Sequence, residues 1–203
     1  MNDMQHGLGA DSFALTGAER QIWAHEQVGE LGPFSRPELI LQFSPACSGA
    51  ALTAAAERMI AAHPAFATRL LRLPGGEMRR LQDAARPPLQ RHGPAVDPAA
   101  RAKDLLAALV LDLAQGPLCA VDLIPGYGGT HVLAVAVHPL LGDAATLAAM
   151  EACLLAALAG QTVVPLPLAA PEAPAPRDML HRWRRRLEAG HAIARLPHRH
   201  GGS

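Results

Sequence analysis

The chain has no net charge: 18 lysines and arginines balance 18 aspartates and glutamates across 203 residues. With no overall field to draw it to nucleic acid or anionic lipid, neither is expected as a partner. Long apolar runs are also missing, none reaching the length that crosses a bilayer, so no membrane span is expected. The opening MNDMQHGLGADS has no basic head leading into an apolar stretch, and no export leader is expected from it. Cysteine is scarce and odd in number. Cys47, Cys119 and Cys153 stand far apart among apolar or small neighbours, whereas a metal site calls for paired spacing. Buried thiols in a reducing cytoplasm are the expectation. His181, His191, His198 and His200 share no fixed helical spacing, which also argues against a metal centre. No internal repeat points to a solenoid.

What the chain does have is a core. Half of its residues are hydrophobic, enough for one domain or one domain with a tail. Heavy use of Ala, Arg, Pro and Leu suggests a GC-rich bacterial gene. The central stretch is residues 130–144, THVLAVAVHPLLGDA. The valine-rich run His131–Val137 lies between the turn Gly126-Tyr127-Gly128-Gly129 and Pro139, which predicts a central strand. Pro139 has no N–H for a ladder, so pairing should end there. From Ala144 onward Leu147, Met150, Leu154, Leu155 and Leu158 recur at helical spacing. Asp143 is suited to cap that helix and Gly160 to close it. The prediction is strand, loop, helix, with His138 and Asp143 emerging together at the strand's mouth. The glycines form a turn between strands rather than a phosphate cradle, because no helix follows them.

Further elements follow the same logic. Thr16 with Glu19 three residues on is a capping box opening a helix whose apolar face begins at Ile22 and Trp23. Residues 38–43 predict a strand. Residues 48–63 predict a helix turning Leu52, Met59 and Ile60 inward and stopping before Pro64. Pro74-Gly75-Gly76 separates two short strands of a hairpin, residues 67–73 and 77–82. Asp97-Pro98 opens a helix expected to run through Leu105, Leu106, Leu109 and Val110, and residues 118–124 predict the next strand. Residues 163–176 carry five prolines and read as an extended connector. The last helix, residues 178–189, sets Met179, Leu180, Trp183 and Leu187 against Arg182, Arg184, Arg185 and Arg186, before a tail without periodicity.

Five segments resemble motifs of nonribosomal peptide synthetase condensation domains. Residues 138–144 are similar to the family's HHxxxDG: His138 takes the first histidine, Pro139 the second, Asp143 the aspartate and Ala144 the glycine. Thr16, Ala18, Ile22 and Trp23 match SxAQxR and its apolar pair, with Glu19 and Gln21 departing from it. Residues 62–70 align with RHExLRTxF, His63 taking the histidine and Ala67 replacing the arginine that commonly pairs with the motif aspartate. Residues 111–118, LDLAQGPL, closely resemble FDLxxGPL, and residues 183–187 resemble the WRxRL helix that follows the first half of these domains. The resemblance covers residues 15–190 and leaves out the family's second half, with its floor loop and latch.

It implies an α/β fold, the N-terminal lobe of a chloramphenicol acetyltransferase-like architecture with a mixed β-sheet and packed helices. The implied organisation is a flexible N-terminus at 1–14, a lobe at 15–160, a proline-rich connector at 161–176, a helix at 177–190 and a loose tail at 191–203. The second motif histidine is the one to which the family's catalysis is assigned, and a pyrrolidine ring can neither take nor give a proton. His138 and Asp143 are the catalytic candidates that remain. His138 lies one residue out of step with the catalytic position, so its side chain should take the opposite strand face and be satisfied by backbone groups. Asp143, without its arginine, should face water or rest on the helix N-terminus. Arg184, Arg185 and Arg186 are either a solvated face or a surface for an acidic acyl or peptidyl carrier protein or synthetase module. No cofactor is expected on this chain, since phosphopantetheine would be carried by the partner, and no metal. Three readings stay open: a non-catalytic condensation-like protein acting by docking, an acyltransferase using His138 and completed by a second chain or a homodimer, and a truncated remnant. A lone lobe should also expose apolar area where its other half would pack, favouring a homodimer or a heteromeric contact.

Overall fold

The computed structural model describes residues 12–27, 29, 36–164 and 177–188, the last segment partly by its backbone alone. The predicted connector and tail fall mostly outside these residues. The chain divides into two compact units, 1–171 and 172–203.

In the first unit the strand predicted around Val135 is at the centre. Strands β2 (Glu38–Phe43), β5 (Gln90–Arg91), β6 (Cys119–Pro125) and β7 (His131–Val137) form one sheet in the order β2-β7-β6-β5, antiparallel except where β5 joins β6. Alternation along β7 supplies both faces. Leu133, Val135 and Val137 enter the larger core, and Val132, Ala134 and Ala136 a smaller one on the other side. A strand covered on both faces reads as an unbroken apolar run, which is why the sequence shows no polar alternation there.

The larger core is closed by α2 (Gly49–Ala62) and α4 (Ala144–Leu158), through Leu52, Met59, Met150 and Leu154. The smaller one is closed by α3 (Pro98–Ala108), where Ala102 and Leu106 approach the alanines of β7. The alanines at 134 and 136 leave room for that helix. Beside this layer, β1 (Ser12–Ala14), β3 (Arg69–Arg72) and β4 (Met78–Leu81) make a three-stranded antiparallel sheet in the order β1-β4-β3. Helix α1 (Gly17–Gln27) follows β1 and rests Ile22 and Trp23 on the larger core. The second unit contributes α5 (Arg177–Glu188). Among the described residues no helix is long and apolar enough to cross a membrane.

Local caps form where the sequence places them. Thr16 and Glu19 exchange backbone-to-side-chain bonds of 2.6 and 3.1 Å, Ser48 accepts from Ala51 N–H, and Asp97 accepts from Ala100 N–H. The other helix ends are closed from a distance. Arg86 donates to the carbonyls of Ile60 and His63 behind α2. Arg36 does the same for Leu106 and Leu109 behind α3, and Arg58 for Ala157 and Gln161 behind α4. None of these three helices has a basic residue in its own last turn. Cations brought in from elsewhere meet the orphan carbonyls and the negative end of each dipole.

Three expectations are corrected. Ser12–Ala14, placed in a flexible N-terminus, is strand β1, because β4 offers it a free edge. Helix α3 ends at Ala108: Leu109 is its cap, held by Arg36, and Val110 is left 88% exposed. Ala67 belongs to a short 3-10 turn, Pro64–Ala67, rather than to the hairpin, whose strands begin at Arg69 and Met78.

Candidate functional site

The chain twice builds the same turn from the dipeptide His-Pro. At the end of β7, Leu140 N–H donates to His138 Nδ1 at 3.2 Å and Leu141 N–H to the His138 carbonyl at 2.9 Å. At the end of α2, Ala65 N–H donates to His63 Nδ1 at 3.3 Å and Phe66 N–H to the His63 carbonyl at 3.3 Å. Proline starts the turn without needing an acceptor of its own, and the imidazole takes the next amide much as an asparagine would in an Asx turn. An Nδ1 that accepts cannot carry a proton, so both rings are neutral with the hydrogen on Nε2.

The surroundings favour that state. Burial, then the nearby Arg86 guanidinium, push His63 below the usual histidine range. For His138 burial is the largest influence and also lowers it, opposed by Glu26 and reinforced by Arg36. His138 is only 7% exposed, and its Nε2 reaches Glu26 Oε1 at 3.3 Å. Both of its nitrogens are therefore committed, one to a backbone amide and one to a carboxylate on α1. The backbone contact agrees with the sequence reading, whereas Glu26 was not anticipated. To act as a base, His138 would have to give up one of these bonds.

Though both stand at the end of β7 as expected, no hydrogen bond or ion pair joins His138 to Asp143. Asp143 is exposed and caps α4, its Oδ1 accepting from Ala145 N–H at 2.9 Å and Thr146 N–H at 3.1 Å. Thr146 Oγ1 accepts in turn from Asp143 N–H at 3.3 Å, completing a capping box. This exposed carboxylate rests on the helix N-terminus, one of the two outcomes the sequence suggested.

Pro139 faces elsewhere. It borders a cavity of about 420 Å³ together with Leu141, Glu19, Ile22, His63 and Arg80; His138 is not part of its wall. Arg80 Nη1 donates to Glu19 Oε1 at 2.5 Å, with side chains 3% and 10% exposed, and the guanidinium lies 5.6 Å from the centre of the Phe13 ring. Glu19, which departs from the family's glutamine, thus serves both the α1 capping box and this buried pair. Among the described residues, His63 is the one imidazole in the cavity wall. It is 1% exposed, and its Nε2 has no hydrogen-bond partner among the described residues. Because its Nδ1 is occupied, it offers a proton rather than a lone pair.

Sequence reasoning missed Glu26, Arg80 and the place of His63 in the cavity wall. The repeated His-Pro dipeptide, beside the resemblance of residues 62–70 to RHExLRTxF, was a signal that could have drawn attention to His63. Arg184 and Arg185 are exposed on α5, while the side chain of Arg186 lies outside the described residues. Among the described residues no three His, Cys, Asp or Glu side chains gather as a metal site would require.

No protein-family model matches the sequence, nor does any curated protein. Solved structures do match. The first condensation domain of the calcium-dependent antibiotic synthetase, in complex with a substrate analogue, is similar at 22% identity and a TM-score of 0.63, over 88% of this chain and 44% of that one. The starter condensation domain of rhizomide synthetase is similar at 16% identity and a TM-score of 0.63, over 88% and 44%. The condensation domain from the monacolin K polyketide synthase is similar at 16% identity and a TM-score of 0.64, over 88% and 40%. This chain spans less than half the length of each of these three structures. It has the mixed α/β, chloramphenicol acetyltransferase-like fold of a condensation domain, over about one half of it.

Proposed function

We propose that this chain is a non-catalytic, condensation-domain-like lobe of a nonribosomal peptide or hybrid polyketide system, acting by binding a carrier protein or a partner enzyme. The observation that carries this reading is the occupancy at the end of β7. Pro139 holds the position of the motif's second histidine, and the imidazole beside it has both nitrogens engaged, by Leu140 N–H and by Glu26. A fold outlasts its chemistry readily, because packing and proton transfer depend on different residues. The cationic helix α5, with Arg184 and Arg185 exposed, suits an acidic carrier protein bearing phosphopantetheine.

A phosphopantetheinylated carrier protein encoded beside this chain should form a complex with it at low salt. Replacing Arg184, Arg185 and Arg186 together by glutamate should weaken that complex at least tenfold, and raising the salt should do the same. Failure of every neighbouring carrier to bind would remove the docking reading. The alternative, an acyltransferase completed by a second chain or by a homodimer, draws on the chain's spanning 44% of the first condensation domain of the calcium-dependent antibiotic synthetase. It requires acyl transfer from a loaded carrier that disappears in His138→Asn, a variant that keeps the turn. Transfer abolished by that change would reinstate the enzyme.

A further inference from the structure

We propose that the outer edge of β2 is a self-association surface, on which a second copy of this chain pairs its own β2 antiparallel across a twofold axis and joins the two sheets into one. The proposal stands apart from the docking reading, which uses α5.

Strand order places β2 at the rim of its sheet, with β7 on one side and, among the described residues, no strand on the other. Val137 N–H donates to the Pro37 carbonyl, and Glu38 stands opposite Ala136 in the register. That bond fixes which backbone groups of β2 face β7: those of Leu39, Leu41 and Phe43. The N–H and C=O groups of Glu38, Ile40 and Gln42 therefore point outward, with no strand to meet them. Other sheet edges are blunted. β5 has two residues and β1 three, and beside β3 the Leu70 N–H is already taken by the Leu113 carbonyl. β2 runs for six residues, ELILQF, in unbroken register with no proline, lysine or bulge inside it. The usual devices that keep a strand edge from pairing are missing. None of its residues is buried, whereas β7 is buried from Val132 to Val137, so the edge lies open.

The occupant is named by the strand's own sequence. Outward groups pair only with outward groups, each facing pair exchanging two backbone bonds. With Ile40 opposite Ile40 of the second copy, Glu38 meets Gln42 and Leu39 meets Leu41, twice over by symmetry. Arg36 holds Glu38 Oε1 at 2.8 Å, which leaves Oε2 to accept from the Gln42 amide. Leu39 and Leu41 already pack against the larger core, and the pairing sets them beside their counterparts. Sliding the register by one outward step in either direction sets Ile40 against Glu38 or Gln42 instead, an apolar chain beside a polar one. The self-paired register is the one in which like meets like on both faces.

Sedimentation velocity of the full chain, in a concentration series up to about 1 mM, should show the mass rising toward twice the 21.3 kDa of one chain. Hydrogen exchange locates the contact. The amides of Ile40 and Gln42 should gain at least tenfold protection as concentration rises, while those of Leu39 and Leu41, already bonded to β7, should not change. Gln42→Pro removes an outward N–H and no bond to β7, the one side of a strand where proline is tolerated, and should weaken the dimer at least tenfold. Gln42→Glu, a milder change at an exposed position, replaces the amide donor with a second carboxylate facing Glu38 and should weaken it roughly fivefold. A chain that stays monomeric throughout the series would overturn the proposal. So would association that leaves Ile40 and Gln42 unprotected, or unchanged affinity in either variant that keeps the parent's circular dichroism spectrum.

Discussion

Removing the His138 side chain tests whether it is a structural imidazole or a spare base. In His138→Ala the amide of Leu140, a residue 2% exposed, loses its acceptor at 3.2 Å. A buried donor left unmet costs about 1–3 kcal/mol. Glu26 loses its contact at 3.3 Å, but its side chain is 28% exposed and can turn to water, so that loss is under about 1 kcal/mol. The emptied ring volume adds about 1 kcal/mol. The expected total is about 3 kcal/mol, a large share of the roughly 5–15 kcal/mol that holds a domain together. His138→Asn restores an acceptor where Nδ1 stood and should recover about half of that loss. Urea unfolding at pH 7.5, with the slope unchanged, measures both variants. Equal destabilisation by Ala and Asn would refute the turn argument, because the amide bond would then contribute nothing. Destabilisation below about 0.5 kcal/mol in both would mean that the ring is not held as described.

Acid should weaken the fold through the two His-Pro turns. Both histidines titrate below the usual value in the folded chain, chiefly through burial. As pH falls below about 6.5 the unfolded chain takes up protons that the folded chain refuses, so stability is full above that point and falls by up to about 1.4 kcal/mol per unit for each ring until the folded value is passed. The double variant His63→Asn, His138→Asn should lack this limb in urea titrations from pH 7.5 to 5. Asp143→Ala should cost about 1 kcal/mol by removing the cap of α4, an effect visible in thermal unfolding. Arg58→Met and Arg86→Met should each cost about 1.5–3 kcal/mol, and hydrogen exchange should show α4 and α2 fraying at their C-terminal ends. Cys119, whose thiol is raised well above its usual range by burial, should stay unmodified by a thiol reagent in the native chain while the half-buried Cys47 reacts.

Much of the fold was legible because the signals are short. The boundaries of β7 follow from a valine run between glycines and a proline. The caps at Thr16, Ser48, Asp97 and Asp143 are contacts across three residues, which a linear reading can see. The His-Pro turns also lie within four residues, so their hydrogen bonding was available to inspection, although the identity of the third partner was not. The end of α3 was misjudged for a related reason. Leucines at helical spacing continue past Ala108, and what stops the helix is Arg36, about 70 residues earlier in the chain.

By itself the sequence determined most of the elements, though not β1 or β5, and with them the central strand β7, the replacement of an expected imidazole by Pro139, and Asp143 as a cap. Only the tertiary structure decided that Arg36, Arg58 and Arg86 close three helices, that Glu26 meets His138 across 112 positions, that Arg80 meets Glu19 across 61, and that His63 rather than His138 borders the cavity with Pro139. Hydrogen-bonded turns and hydrophobic periodicity are set by neighbours within a few residues. A charge's partner, and the side of a strand's end that opens onto a cavity, depend on the order in which strands pair, and strand order leaves no mark in the local sequence.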